Sequence, residues 1–192
     1  ALDYYTSVTG KPLLPPKWVF EPWAGGGGRR WMNGPLHDLV QEQKAVLEKF
    51  EEFDIPHSGF YAEGAGSMWN GERVEELYEI VNFAKEKGIR TFSWEFPNMT
   101  RERAKKLLPD TPEDELPVTV LEKFEEFDDP ITYIDFTHPR AMELLRAQWK
   151  SRLAAGIKGT MVDFGDLVAD QTRFYDGRSG KEMHNGYAVE YA

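Results

Sequence analysis

Apolar residues recur at helical spacing in two stretches of the chain, and short apolar runs lie around them. From 36 to 53 the positions Leu36, Leu39, Val40, Val46, Leu47, Phe50 and Phe53 follow that spacing, predicting a helix that Asp54-Ile-Pro stops. Residues 73–87 place Val74, Leu77, Tyr78, Val81 and Ala84 on one face, and Gly88 stands where a left-handed cap is needed. Asp135-Phe-Thr-His-Pro-Arg140 introduces a third helix ending at 155, with Thr137 or His138 near its N-cap, Pro139 in its first turn and Gly156 after it. Strands are predicted at 18–23 (WVFEPW), 57–63 (HSGFYAE), 89–96 (IRTFSWEF) and 158–163 (KGTMVD).

Proline punctuates the rest. The stretch 11–18 (KPLLPPKW) is an extended lead-in, because proline fixes φ and removes amide donors. Residues 97–135 carry Pro97, Pro109, Pro112, Pro117 and Pro130, which marks an insertion with one short helix near 101–108 and extended segments after it. The order strand, helix, strand, helix, strand, insertion, helix, strand predicts an α/β fold of parallel βαβ units. Doubly wound sheets and (β/α)8 barrels both fit that order. A barrel takes about 250 residues, so the four predicted strands amount to about half of one, in a single domain over 1–192. One nonapeptide, VLEKFEEFD, occurs at both 46–54 and 120–128 with unrelated flanks, which is not the signature of a repeat protein. The first copy continues a helical pattern, whereas the second lies between Pro117 and Pro130 in a segment expected to be extended.

Charge and cysteine usage narrow the function. The 192 residues hold 33 acidic and 23 basic side chains, a net charge of −10, which argues against nucleic acid as a partner because phosphate binding needs a basic face. With no cysteine there is no disulfide, thiolate metal site or cysteine nucleophile. No apolar run approaches the roughly 20 residues that span a bilayer, so no membrane partner is expected. The chain begins without methionine and stops at HNGYAVEYA, and is expected to be cut from something longer.

In parallel α/β architectures ligands bind beyond the C-terminal strand ends. The predicted ends offer Glu21 and Trp23, then Glu63, then Trp94 and Glu95, then Asp163 and Asp166. Carboxylates beside indoles suit a sugar, whose hydroxyls meet carboxylates while its C–H faces meet the rings, and glycosidic cleavage sets a carboxylate against an oxocarbenium-like carbon. On pattern alone Trp18, Trp23 and Trp94 also fit a core or wall, and Glu63 and Glu95 also fit rim partners of Arg29 and Arg30. Asp163 stands apart, because it closes a buried-looking strand and is backed by Phe164-Gly165. The histidines His37, His57, His138 and His184 lack ligand spacing, and Gly25 to Gly28 lack the Lys-Ser/Thr of a phosphate loop and the spacing of a dinucleotide fingerprint. Neither a metal nor a cofactor is expected.

The string Tyr133-Ile-Asp135-Phe-Thr-His-Pro-Arg140, a tryptophan-bearing helix, Gly156-Ile-Lys-Gly-Thr-Met-Val-Asp163-Phe-Gly-Asp166, and then Asp176-Gly177 and Met183-His184-Asn185 resembles family 31 of the glycoside hydrolases. The opening Tyr5-Thr-Ser-Val-Thr-Gly-Lys-Pro-Leu-Leu-Pro-Pro-Lys-Trp18 and Asp54-Ile-Pro resemble it too. The resemblance implies a retaining α-glycosidase barrel, a carbohydrate substrate and Asp163 as nucleophile. It adds Asp166, Glu63 and Arg30 to Trp94 and Trp23, read above from the strand ends, among the residues expected to bind the sugar. Glu63 stands where many relatives carry a sugar-binding aspartate, and Arg29 or Arg30 would read an anionic sugar or belong to a solvated basic loop. The family's acid/base lies on a later strand, to which nothing here corresponds. The resemblance therefore implies a nucleophile-bearing half-barrel that pairs with the missing half or with another copy. The alternative is a half-barrel scaffold that folds or self-associates without turnover.

Overall fold

A computed structural model describes residues 2–25, 36–62, 74–95, 97–120, 132–166 and 168–191. Helix α1 (Leu2–Thr9), which no apolar periodicity announced, buries none of its residues. Strand β1 (Trp23–Gly25), helix α2 (Leu36–Glu52), β2 (Gly59–Tyr61), α3 (Val74–Glu86) and β3 (Arg90–Glu95) follow. The insertion supplies α4 (Arg101–Leu107) and the hairpin β4 (Val118–Val120) and β5 (Thr132–Ile134), after which come α5 (Ala141–Ala155), β6 (Gly159–Val162) and α6 (Gly180–Tyr191). Among the described residues β1, β2, β3 and β6 form one parallel sheet in that order, so each βα unit sets its strand beside the last.

Three helices end alike. At α2 the Ile55 N–H donates to the Phe50 carbonyl and the Asp54 N–H to that of Glu51; Ile89 and Gly88 do the same to Ala84 and Lys85 after α3, and Ile157 and Gly156 to Arg152 and Leu153 after α5. This paired closure needs a left-handed residue, supplied by Asp54 (φ 51°), Gly88 (φ 74°) and Gly156 (φ 104°). The isoleucine that follows leads each time toward the next strand, and Ile89 and Ile157 are buried in the core between sheet and helices. Ala24 and Phe60 of the strands meet Val40 and Leu47 of α2 and Ile80, Val81 and Ala84 of α3 there. A second cluster joins Met99, Ala104, Leu108, Leu116, Val118 and Ile134 of the insertion to Ala141 and Leu144 of α5. A third unites Tyr133, Val168, Phe174, Met183, Tyr187 and Tyr191.

Two sequence expectations are corrected. The aromatic run 18–23 is not a strand: Lys17–Phe20 is a 3-10 turn, closed by the Val19 and Glu21 amides on the Pro16 and Trp18 carbonyls. Pro22 has no amide to donate, and its carbonyl accepts from Ser58, so the ladder starts at Trp23. Trp23 therefore opens β1 instead of closing it. The N-cap of α5 is Arg140, without a side-chain cap bond, because the Thr137 hydroxyl and amide both turn back to the Asp135 carboxylate at 2.7 and 3.0 Å. Helix α6, which the periodicity reading passed over, opens on a reciprocal Ser179–Glu182 box: the Ser179 amide and hydroxyl each donate to Glu182 Oε2 at 2.7 Å. In the repeated nonapeptide the first copy runs through α2, whereas Val120 opens the second copy in β4; 121–128 lie outside the described residues.

Candidate active site

Ladder register fixes the heights of the candidate residues. Trp23 pairs with Gly59, and Gly59 with Arg90, at the start of the sheet; Glu95 pairs with Val162 at its end. Five residues of β3 separate those levels, about 17 Å at a strand's rise. Trp23 is thus remote from Asp163. Its ring lies 4.1 Å from that of Phe92 and 6.4 Å from that of Trp18, and Arg90 stacks on Trp18 at 4.9 Å. Glycines make this packing possible, since a Cβ on Gly59 would stand 3.1 Å from the Trp23 ring and one on Gly159 only 2.5 Å from that of Phe92. Trp23 is a wall residue at the foot of the sheet.

Asp163 and Asp166 leave the opposite end. Asp163 is half-buried directly after β6, and Asp166 is exposed three residues later. The backbone of Trp94 and Glu95 reaches the same level through β3, so the register brings these two positions to the mouth beside Asp163. Glu63 follows Ala62, whose amide continues the ladder onto the Phe92 carbonyl, but Glu63 itself lies outside the described residues, as do Arg29 and Arg30.

The insertion adds a group that sequence reading did not single out. After β3 the chain turns and pairs with β5: the Met99 amide donates to the Thr132 carbonyl at 2.7 Å, the Ile134 amide to that of Pro97 at 3.0 Å, and Asn98 bridges Tyr133. Tyr133 is thereby buried beside the exit of β6, with its hydroxyl 3.3 Å from the Phe164 carbonyl. Burial, then the charges of Asp166 and Asp163, drive its phenol far above the ordinary tyrosine range, so it stays a proton-bearing donor. Tyr191 is raised by burial and by Tyr133 and Asp163, against the opposing charge of Arg152. Tyr187 is raised most by burial; its hydroxyl donates to the Ile134 carbonyl at 2.8 Å.

Asp135 has a different office from the mouth carboxylates. It is buried, with Oδ1 taken by Thr137 and Oδ2 accepting from the Tyr175 amide at 2.7 Å, while the Thr137 hydroxyl also accepts from the Asp176 amide. The Asp135-Phe-Thr-His string thus clamps the segment after β6, and its order in the sequence reflects structure.

These features define a class: parallel βα units in barrel order, with acidic residues gathered where the strands end, the face on which (β/α)8 barrels carry their sites. A family model for the glycosyl hydrolases family 31 TIM-barrel domain matches residues 12–192, and the chain belongs to that family. Alpha-xylosidase XylQ of Lactiplantibacillus pentosus is 24% identical over 200 residues, covering 99% of this chain and 26% of its own length. The chain thus spans about a quarter of that curated relative. Among solved structures, the cycloalternan-forming enzyme of Listeria monocytogenes superposes with a TM-score of 0.72 at 20% identity, over 99% of this chain and 21% of that one. The cycloalternan-degrading enzyme of Trueperella pyogenes, in complex with a covalent intermediate, superposes with a TM-score of 0.68 at 19% identity, over 99% and 30%. Both likenesses are of fold.

Proposed function

We propose that this chain is the nucleophile-bearing part of a retaining α-glycosidase barrel, with Asp163 attacking the anomeric carbon. The observation that carries the proposal is the half-buried carboxylate on the last turn out of a barrel strand, in a family of glycosyl hydrolases. In the first step the Asp163 carboxylate forms a bond to C1 as the C1–O bond breaks, the departing oxygen taking a proton from a general acid. Water then attacks C1, giving up a proton to the same group now acting as base, as the C1–Asp163 ester bond breaks, and the second inversion restores the α configuration. A relative solved with a covalent intermediate supports the two-step reading. Asp166, Trp94, Glu63 and Arg30 are proposed to contact the sugar, Trp94 because its strand ends at the mouth. Trp23 is dropped from that set, since it lies at the foot of the sheet.

The test is the intact mass of the full-length protein after incubation with a fluorinated α-glycosyl fluoride, whose fluoride departs without a proton donor. The α-xylosyl and α-glucosyl forms are both tried, the former because a relative is an alpha-xylosidase. One sugar adduct mapping to Asp163, together with loss of at least about 10^4-fold in kcat for Asp163→Ala, is the expected result. An adduct on another residue, or an active Asp163→Ala protein, refutes the assignment. A folded protein that takes no adduct and hydrolyses no α-glycoside supports the scaffold alternative.

A further inference from the structure

Among the described residues two that are not glycine have positive φ, Asp54 at 51° and Phe164 at 59°. Asp54 is explained by its helix: it is the left-handed residue of the α2 closure, and aspartate tolerates that conformation. Phe164 follows a strand, has no helix to close and carries a bulky side chain that disfavours the left-handed region. Burial does not demand the conformation either, the residue being 38% exposed. The surrounding backbone does. The Phe164 carbonyl accepts from Tyr133, which stacks on Tyr187 with centroids 5.8 Å apart. The next residue, Gly165, lies so close to α6 that a Cβ would stand 3.1 Å from Ala188 Cα. On the other side, the Phe164 amide donates to Asp163 Oδ1 at 2.9 Å.

We propose that Phe164 is a positioning residue, whose left-handed backbone, held between Tyr133 and α6, turns its amide onto Asp163 and so fixes the direction of the attacking carboxylate. The inference rests on Asp163 being the nucleophile. Strain persists where surroundings over-determine it, and here the over-determining contacts converge on the residue next to the reacting group. With β6 and Gly165 held in place, φ of Phe164 can reach the extended region only with a compensating turn of ψ at Asp163, a flip of the intervening peptide that carries the Phe164 amide away from Oδ1 and breaks that hydrogen bond.

The experiment compares Phe164→Asn, Phe164→Leu, Phe164→Val and Tyr133→Phe in the full-length protein. It reads kcat and KM for an α-glycoside with a good leaving group, the rate of trapping by the fluorinated glycosyl fluoride, and Tm. Asparagine accepts a left-handed backbone and is expected to keep kcat within about 3-fold, whereas β-branched valine resists it and loses about 100-fold, the scale of a 1 Å misplacement. KM stays within about 2-fold in both, because the sugar contacts are untouched. Tyr133→Phe keeps the stacked ring, removes the hydroxyl and is expected to lower kcat and trapping about 10-fold with little change in Tm. The proposal is overturned if leucine keeps activity while asparagine loses it, which would mean that the ring itself touches substrate, or if valine and Tyr133→Phe both match the parent rate. Failure of the nucleophile reading is separate: it appears as an adduct away from Asp163 in the unsubstituted protein.

Discussion

The corners that lead from helix to strand and the corner that leads out of β6 share one backbone conformation and hold it by different means. At Asp54, Gly88 and Gly156 the left-handed residue is paired with two hydrogen bonds to the helix just finished, so the conformation is settled within six residues. At Phe164 it is settled by Tyr133, which lies 31 residues earlier, and by α6, which begins 16 residues later. The first kind of corner is a local property and serves stability. The second is a tertiary property and is found beside the candidate nucleophile. Barrels divide their labour this way, with stability at the N-terminal ends of strands and chemistry at the C-terminal ends.

Four experiments press on that contrast, and Gly180→Ala has the largest expected effect. A Cβ on Gly180 would collide with the Ala169 carbonyl oxygen, displacing α6 and with it the support of Phe164. A cost of about 3 kcal/mol or more and a loss of activity well before global unfolding are expected, read from urea titration beside initial rates. Alkali comes next. Tyr133, Tyr187 and Tyr191 are raised in the folded protein, so above pH about 10 the unfolded chain sheds protons that the folded one keeps. Their contribution to stability is full below that pH and falls as pH rises through and beyond it, at about 1.4 kcal/mol per pH unit for each whole proton of difference. Tyrosinate absorbance from these three that grows in only with unfolding is the check.

Gly156→Val tests a lower corner. Valine cannot take φ 104° comfortably, and about 2 kcal/mol of stability should go with kcat per folded molecule unchanged. A drop in kcat with no drop in stability would erase the division between the two ends. The smallest effect is expected from Asp54→Gly, a gain of about 0.5 kcal/mol in a urea midpoint, since glycine takes the left-handed conformation at less cost. A loss there would show that the Asp54 side chain does more than terminate a helix.

The same division explains what could be read from residues alone. Helices α2 and α3 were legible from periodicity, and α5 from Pro139 and Gly156, because periodicity, a first-turn proline and a terminal Asp54, Gly88 or Gly156 are local signals. Asp163 and Asp166 were legible as carboxylates after a strand, once parallel βαβ order told which end mattered. The strand proposed at 18–23 failed because Pro16 and Pro22 flank residues 17–21 and a 3-10 turn presents Trp18 to Phe92 equally well. Helix α6 had signals that were passed over: the Ser179–Glu182 box, and Met183, Tyr187 and Tyr191 spaced four apart and all buried. No local signal marks Tyr133 or Phe164, whose roles exist only after β5 has folded back onto the segment 97–99 that follows β3. The nonapeptide makes the same point within one string, since its first valine is helical in α2 and extended in β4.

The three apolar clusters carry a dynamic consequence. Among the described residues the sheet and helix core shares none of its buried residues with the tyrosine-rich cluster around α6, so the second can open while the first stays shut. Separate clusters of this kind behave as separate cooperative units in native-state amide exchange. Amides of α6 are then expected to exchange through a smaller opening than those of β2 and β3. Asp163 stands on the seam, attached through β6 to the slowly exchanging unit and through Phe164 to the quickly exchanging one. Each breath of α6 would loosen the Phe164 contact to the carboxylate without loosening the strand that carries it.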